Sequence, residues 1–354
     1  MTVIVIVVLG MSLAIGVSYT RALVAPGYAT FADKTSAWLR DHGGASVVDR
    51  VETWWYTRHS PSHTPADLRQ FASDARSRAA SAAARMTLVD LPHPVGSTVS
   101  PAWHPAAFAA DGQPVVYTSA FEPDPALPSV VAGVAVIDAR STHAHFVTGL
   151  SEPGHTRTRG EVPARDVPHL VATFNSGFRF ADISGGVMVG GRVLREIRTG
   201  QATATIDTHG HMTVGQWGRD VGTTTPLLAA RQNLDLIVDA GRALPGFGHS
   251  SNRWGGTHLQ FQYTWRSGLG VDHDGNLIYL AGNHLDLQAL ATGLVDAGAV
   301  RAMELDMHGG MTLFSSWQHS GGQTTPTRLM SGMSGPERRY LEPDRRDFFY
   351  VTTP

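Results

Sequence analysis

The stretch "HLDLQALATGLVDAGAVRAMELDMHGG", residues 284–310, decides the fold class. Leu287, Leu290, Ala291, Leu294 and Val295 recur at three- and four-residue spacing, which predicts a helix with one apolar side. Gly298 follows as the residue that ends it in a left-handed turn. The run "AVRAMELD", 299–306, comes at once and reads as a strand. A strand-like run, "SGLGVDHDGNLIYLAG" (267–282), precedes the helix. Strand, helix, strand is the habit of α/β proteins.

Outward from this unit the chain alternates short apolar runs with turn signals. "PVVYTSAF", "SVVAGVAVIDA", "HLVATFNSGF", "GVMVGGRVL", "TATIDTHGHMTV" and "LDLIVDAG" all read as strands. Before them, "LPHPVGSTVSPAWHP" (91–105) is a proline-punctuated linker. Earlier still the texture is helical. "SVVDRVETWWYTR" spaces Val47, Val48, Val51, Trp54 and Trp55 along one helix face. "TPADLRQFASDARSRAASAAARM" opens on Thr64 as an N-cap and Pro65 in the first turn. The two tryptophans suit a membrane interface or the surface of the main domain.

The first twenty residues carry no charged side chain, about the length a helix needs to cross a bilayer. A retained signal anchor is the preferred reading, because no basic segment precedes the run and no clean cleavage site follows. The expected class is α/β (α+β): a mixed, strand-rich sheet core with packed helices. A transmembrane helix (1–20) and a helical stalk and linker (21–95) precede it, and the globular domain runs over 96–354. Arg21 opposes an outward orientation by the positive-inside rule.

With 28 basic and 30 acidic residues, the charge balance gives no field for nucleic acid. The chain has no cysteine, which excludes disulfides and thiolate chemistry. Its 17 histidines are scattered without metal-ligand spacing. In "DHDG" (272–275) the likeness to an EF-hand start is superficial, since no twelve-residue loop ending in Glu follows. Lys34 is the sole lysine in a chain rich in Ala, Gly, Arg and Asp, a bias typical of GC-rich bacterial genomes.

Four constellations carry chemistry. On "AVRAMELD", alternation puts Glu304 and Asp306 on one face, their Cα atoms about 6.6 Å apart. Two carboxylates near a strand's C-terminal end suit work on a glycosidic bond, and the following Gly309 and Gly310 can aim N–H groups at an anion. The competing reading pairs Glu304 with an arginine and has Asp306 cap the turn. In "TFNSGFRF", Asn175 offers donor and acceptor to sugar hydroxyls, or closes an Asx-turn. In "TWRSGLGVDHDGNL", the fork of Arg266 suits phosphate, or a salt bridge. "LDLIVDAGRALP" places Asp239, Gly241 and Arg242 after a buried strand.

In this order the four motifs resemble the phosphodiester glycosidase family, over residues 113 to 317. Asn175, Ser176, Gly177 and Phe178 match its Asn-Gly-Gly-Phe-like turn. Arg266, Gly268, Gly270, Asp274 and Gly275 match its Arg and hairpin element. Leu305, Asp306, Met307, His308, Gly309 and Gly310 stand where it has Leu-Asp-Gly-Gly-Gly-Ser. Met307 and His308 replace two glycines, Met311 a small hydroxyl residue, Ser176 a glycine, and Glu304 a common asparagine.

The resemblance implies hydrolysis of a sugar C1–O bond whose leaving group is a phosphate monoester. Asp306 would act as nucleophile, base or electrostatic stabiliser, with Glu304 as second carboxylate. Arg266 and the Gly309/Gly310 backbone would face the phosphate, and His308 would donate to it. Asn175, Gly177, Asp239 and Arg242 would hold substrate. No cofactor is expected; a divalent ion between Asp306 and Asp239 is the lesser alternative. The expected partner is a glycosyl phosphodiester or polysaccharide of a bacterial cell envelope, met on the extracytoplasmic side of the membrane. The altered glycine turn favours a second reading, a non-catalytic glycan-binding or polysaccharide-assembly protein. A metal-dependent phosphodiesterase ranks third.

Overall fold

A computed structural model of the chain describes residues 2–25, 30–66, 86–94, 100–154, 156, 158–249, 251–255 and 259–354, with the backbone alone at 2–8, 57 and 259. Three sheets carry the body. The first has eight strands, in the order β1 (His104–Phe108), β2 (Pro114–Phe121), β3 (Ala132–Ile137), β14 (Leu277–Leu285), β13 (Thr264–Val271), β15 (Arg301–Met307), β11 (Leu236–Asp239) and β12 (Arg242–Ala243). The second orders β7 (Arg192–Arg195), β6 (Val187–Val189), β10 (Leu227–Gln232), β8 (Ala202–Asp207) and β9 (Met212–Gln216). In the third run β17 (Gln323–Arg328), β16 (Phe314–Ser320), β5 (Leu170–Asn175), β18 (Phe348–Thr352) and β4 (His143–Val147).

The strand-rich α+β class holds, but the sheets are not mixed: every pairing between these strands is antiparallel. The strand–helix–strand unit survives in another form. β14 and β15 both pair antiparallel with β13, so they run in the same direction on either side of it. Helix α4 (Leu287–Asp296) makes that crossover. Asp286 caps it, accepting from Ala289 N at 2.8 Å, and Gly298 leaves it at φ 96°. Leu287, Leu290, Ala291 and Leu294 are buried, as their spacing predicts. The helix sits close because β13 carries Gly268 and Gly270: a Cβ at Gly268 would come within 2.7 Å of Leu294 Cδ1.

Between the first and third sheets lies an aromatic core. Phe174 of β5 packs on Tyr279 of β14, Phe314 of β16 and Phe349 of β18, with ring centroids 5.5, 6.0 and 5.6 Å away. The Phe174–Tyr279 contact locks the third sheet to β14 of the first, next to the end of β5.

The N-terminal part forms helices α1 (Thr2–Val24), α2 (Phe31–Leu39) and α3 (Ala45–Arg58). Thr30 and Asp33 close a capping box at the start of α2. Lys34 Nζ donates to Leu23 O and Ala25 O, each at 2.9 Å, as a cation does at a helix C-terminus. A helix therefore forms where the anchor was expected, yet among the described residues none is long and apolar enough to cross a membrane. On α3, Val48 is buried while Val47, Val51, Trp54 and Trp55 are exposed, so about half of each tryptophan's surface stays open. The helix expected from Thr64 falls mostly at 67–85, outside the described residues. Met86 and Leu91 are buried against the α4 side of the first sheet, so this end of the stalk clasps the domain.

Candidate active site

The C-terminal ends of β5 and β15 meet the start of β13 and the approach to β18. Asn175 is the hinge pin. Its Nδ2 donates to Ser267 Oγ at 3.0 Å and to Ser176 O at 3.1 Å. Its Oδ1 accepts from Tyr279 OH at 2.8 Å and Leu313 N at 3.1 Å. Both donors and both lone pairs are engaged by protein. The expectation that Asn175 holds a sugar is corrected: it joins two sheets. Ser267 passes the constraint on, donating to Asp306 O at 3.1 Å.

Asp306 is buried, 6 % exposed, at the end of β15. Its Oδ1 accepts from Met307 N at 2.8 Å and its Oδ2 from Arg346 Nη2 at 2.9 Å. Burial pushes its carboxyl up to about 7; Arg346 is the strongest opposing influence, followed by the Met307 N–H and Arg231, while Asp182 adds to the rise.

Glu304 does not join Asp306. The pairing of β13 with β15 slips between Arg266 and Gly268, opposite residues 304–307, so simple alternation fails there. Glu304 Oε1 instead meets Arg266 Nη1 at 2.5 Å, with both side chains 1 % exposed. Arg266 also donates to Leu285 O at 2.9 Å and Gln262 O at 3.1 Å. Burial raises the Glu304 carboxyl, with Arg266 opposing. Two expectations are corrected together: Arg266 faces Glu304 and carbonyls in place of a phosphate, and Glu304 is half of a sealed ion pair.

Asp239 and Arg242 are not brought in. Val238 pairs with Ala302, so Asp239 lies beside the start of β15, roughly 15 Å along the strand from Asp306 at ~3.3 Å per residue. Asp239 pairs with Arg219 at 2.7 Å and, as Arg242's cross-strand partner, closes a tight hairpin through Ala240 and Gly241, both at positive φ. An ion shared by Asp239 and Asp306 is ruled out by that separation. Asp274 and Gly275 likewise form the β13–β14 hairpin turn, where Asp272 Oδ1 accepts from Asp274 N and Asn276 N. Among the described residues no group of three or more His, Asp or Glu side chains could hold a metal ion.

The turn after Asp306 keeps the character read from its glycines. Met311 N donates to His308 O at 3.1 Å, closing residues 308–311. Ser334 Oγ donates to Gly309 O, and Arg339 Nη1 donates to Gly310 O at 3.0 Å. The N–H groups of Gly309 and Gly310 find no partner among the described residues. Since Gly309 O points at Ser334, the Gly310 N–H of the same trans peptide points the other way. Unpaired donors at a glycine turn suit an anion. Met311 Sδ rests 3.4 Å from Arg346 Nη1.

His308 sits in this turn at φ 74°, a strained value for a side chain with a Cβ. Its N donates to Trp265 O at 2.8 Å. Burial pushes the imidazole down to about 4, against a smaller raising influence from Asp33. Tyr56 of α3 covers it: Tyr56 OH lies 3.2 Å from His308 Nδ1, and the rings stack at 5.9 Å. Beside it, Arg179 Nη1 meets Asp41 of the N-terminal arm at 3.3 Å. The arm therefore lies over the turn.

The site's cation, Arg346, was not legible in the motifs. Its Nη2 donates to Gly177 O at 2.7 Å as well as to Asp306, and its Nε is buried without a partner. At Gly177 a Cβ would come within 2.9 Å of both Arg231 Nη1 and Asn233 Oδ1, so any larger residue has to displace one of these buried side chains. It helps build the site through its carbonyl. Arg231 and Asp347, paired at 2.9 Å and both buried, brace the loop from behind. The signal was "DRRDFFY" (344–350), a charged cluster running into an apolar strand.

No protein-family model matches the chain, and no curated protein matches it. Solved structures do. The zebrafish N-acetylglucosamine-1-phosphodiester alpha-N-acetylglucosaminidase catalytic domain, auto-inhibited by its pro-peptide, is 17% identical with a TM-score of 0.46, over 83% of this chain and 95% of that one. A hypothetical protein from Synechocystis is 12% identical with a TM-score of 0.43, over 68% and 62%. An exported protein from Burkholderia pseudomallei is 11% identical with a TM-score of 0.37, over 64% and 74%. These are distant likenesses of fold, and none assigns a residue or a reaction to this chain.

Proposed function

We propose that this protein hydrolyses the sugar C1–O bond of a glycosyl phosphodiester, releasing free sugar and a phosphomonoester. The observation that carries the reading is Asp306: a buried carboxyl with its pKa near neutrality, hydrogen-bonded to an arginine and followed by a turn with two N–H groups unpaired among the described residues. A phosphate monoester leaves readily, so the reaction needs charge neutralisation more than an acid. Arg346 and the Gly309/Gly310 N–H groups supply it. Asp306, ionised, takes the proton of the attacking water, and a base near the working pH does this best.

The proposal includes a location. α1 leaves Leu9, Met11, Leu13, Ile15 and Val17 exposed, an apolar surface a bilayer would cover. The substrate class, an envelope glycan, puts the domain on the extracytoplasmic side in this proposal.

One observation favours a second reading, glycan binding without cleavage. Tyr56 lies on His308 and Met311 lies on Arg346, so the mouth is covered as it stands. Turnover in water enriched in oxygen-18 separates the outcomes. Label in the released sugar supports C–O cleavage; label in phosphate means P–O cleavage; binding without label in either supports the second reading.

A further inference from the structure

With Glu304 locked to Arg266, the proposed chemistry has one carboxylate where sugar hydrolysis ordinarily uses two. We infer that Glu152 is the second carboxylate, placed to meet the positive charge that develops at the anomeric carbon. The inference rests on the glycosidase reading.

Two loops contact Arg346 itself, and a third holds the segment that carries it. The 306–311 turn brings Asp306 and Met311, and the 176–180 loop brings Gly177 O. A third loop, 149–152, is zipped to the segment that carries Arg346. Leu150 N donates to Asp344 O at 2.9 Å, and Ser151 N and Glu152 N both donate to Arg345 O at 3.1 Å. Arg345 Nε returns a bond to Ser151 Oγ at 2.9 Å. Gly149 permits the approach, because a Cβ there would strike the backbone of Arg345. The Glu152 side chain then crosses to the second loop, where Phe180 N donates to Oε2 at 3.2 Å. Glu152 is thus fixed between the backbone that carries Arg346 and the 176–180 loop whose Gly177 O the guanidinium holds.

Its other oxygen stays available. Oε1 accepts no hydrogen bond among the described residues, and the residue keeps part of its surface open. The neighbouring carboxylates differ. Asp347 is sealed against Arg231. Asp182 is tied to Arg179 at 2.9 Å. Glu304 is closed off by Arg266. Burial raises the Glu152 carboxyl, and Arg346 is the leading opposing charge, as it is for Asp306; Asp347 and Arg231 act on Glu152 more weakly, in opposite senses.

The C1–O bond breaks and its electron pair leaves with the phosphate. The ring oxygen feeds charge to C1, and ionised Glu152 faces that charge. Water forms the new C1–O bond and gives its proton to Asp306, which returns it to solvent.

The test uses the full chain and a sugar-1-phosphodiester that it turns over. Glu152→Gln is expected to lower kcat about a hundredfold or more, the scale of one lost electrostatic contact to a transition state. KM should move little, and the rise of rate with pH through Asp306 should persist. Glu152→Asp, which keeps the charge, should recover part of the loss and so separates charge from folding. Unchanged kcat in Glu152→Gln beside a dead Asp306→Asn overturns the inference and leaves the glycosidase reading standing. Absence of sugar release by both the wild-type and Tyr56→Ala chains overturns both.

Discussion

Asp306 Oδ2 lies 2.9 Å from Arg346 Nη2, and the same nitrogen holds Gly177 O at 2.7 Å. One guanidinium thus ties the end of β15 to the loop after β5. It also keeps a deeply buried carboxyl from rising further, so Asp306 titrates where a base is useful.

Arg346→Met removes that positive charge. The Asp306 pKa should rise by about 1–3 units from about 7, the usual effect of losing an adjacent cation. Since the ionised form is the proposed base, the ascending limb of kcat against pH should move to higher pH by the same amount. A limb that stays put means Asp306 is not the titrating group.

Asp306 also links stability to pH. Its folded pKa lies above the unfolded value, so the protonated fold is favoured below about 4 and that advantage is lost as pH rises to about 7. The ceiling is on the order of 4 kcal/mol, from 1.36 kcal/mol per unit. Asp306→Asn should flatten the fall in melting midpoint between pH 4 and 7. Arg346, Arg231 and Asp182, the charges acting on Asp306, stay in place in that variant.

Breaking the sealed pair should be costly, and replacing it should not. Glu304→Ala takes the carboxylate away from the buried Arg266 guanidinium, a loss of about 3–5 kcal/mol. The double change Arg266→Met with Glu304→Leu should recover most of it in urea unfolding. Additive losses would contradict the pairing.

Tyr56→Ala uncovers His308. Relief of burial should raise the imidazole from about 4 toward its ordinary 6.5, visible in the pH titration of its ring protons by NMR. Asp33 pulls in the same direction and Arg266 and Arg40 against it. A midpoint still near 4 would mean the arm does not bury the histidine.

Much of the fold could be read from local pattern. α4, its glycine exit and the β13–β14 hairpin depend on periodicity and turn chemistry within about twenty residues. β2 occupies the very run read as a strand, whereas β4, β16 and β17 escaped because their sequences carry histidines, serines and threonines. The candidate site was half legible. Asp306 and the Gly309/Gly310 turn lie on one strand end, where spacing is informative. The bulge that parts Glu304 from Asp306 leaves no mark in the sequence. Arg346 and Glu152 reach the site through contacts between distant segments, Arg346 lying 40 positions from Asp306, and no local rule predicts those.

The most direct measurement is release of free reducing sugar from a panel of sugar-1-phosphodiesters, by the wild-type and Tyr56→Ala chains, each with and without Asp306→Asn. The proposal predicts release by the chains that keep Asp306 and a loss of at least about a hundredfold in those that lack it. Equal release with Asp306 replaced, in a folded protein, would contradict the central role given to that carboxylate.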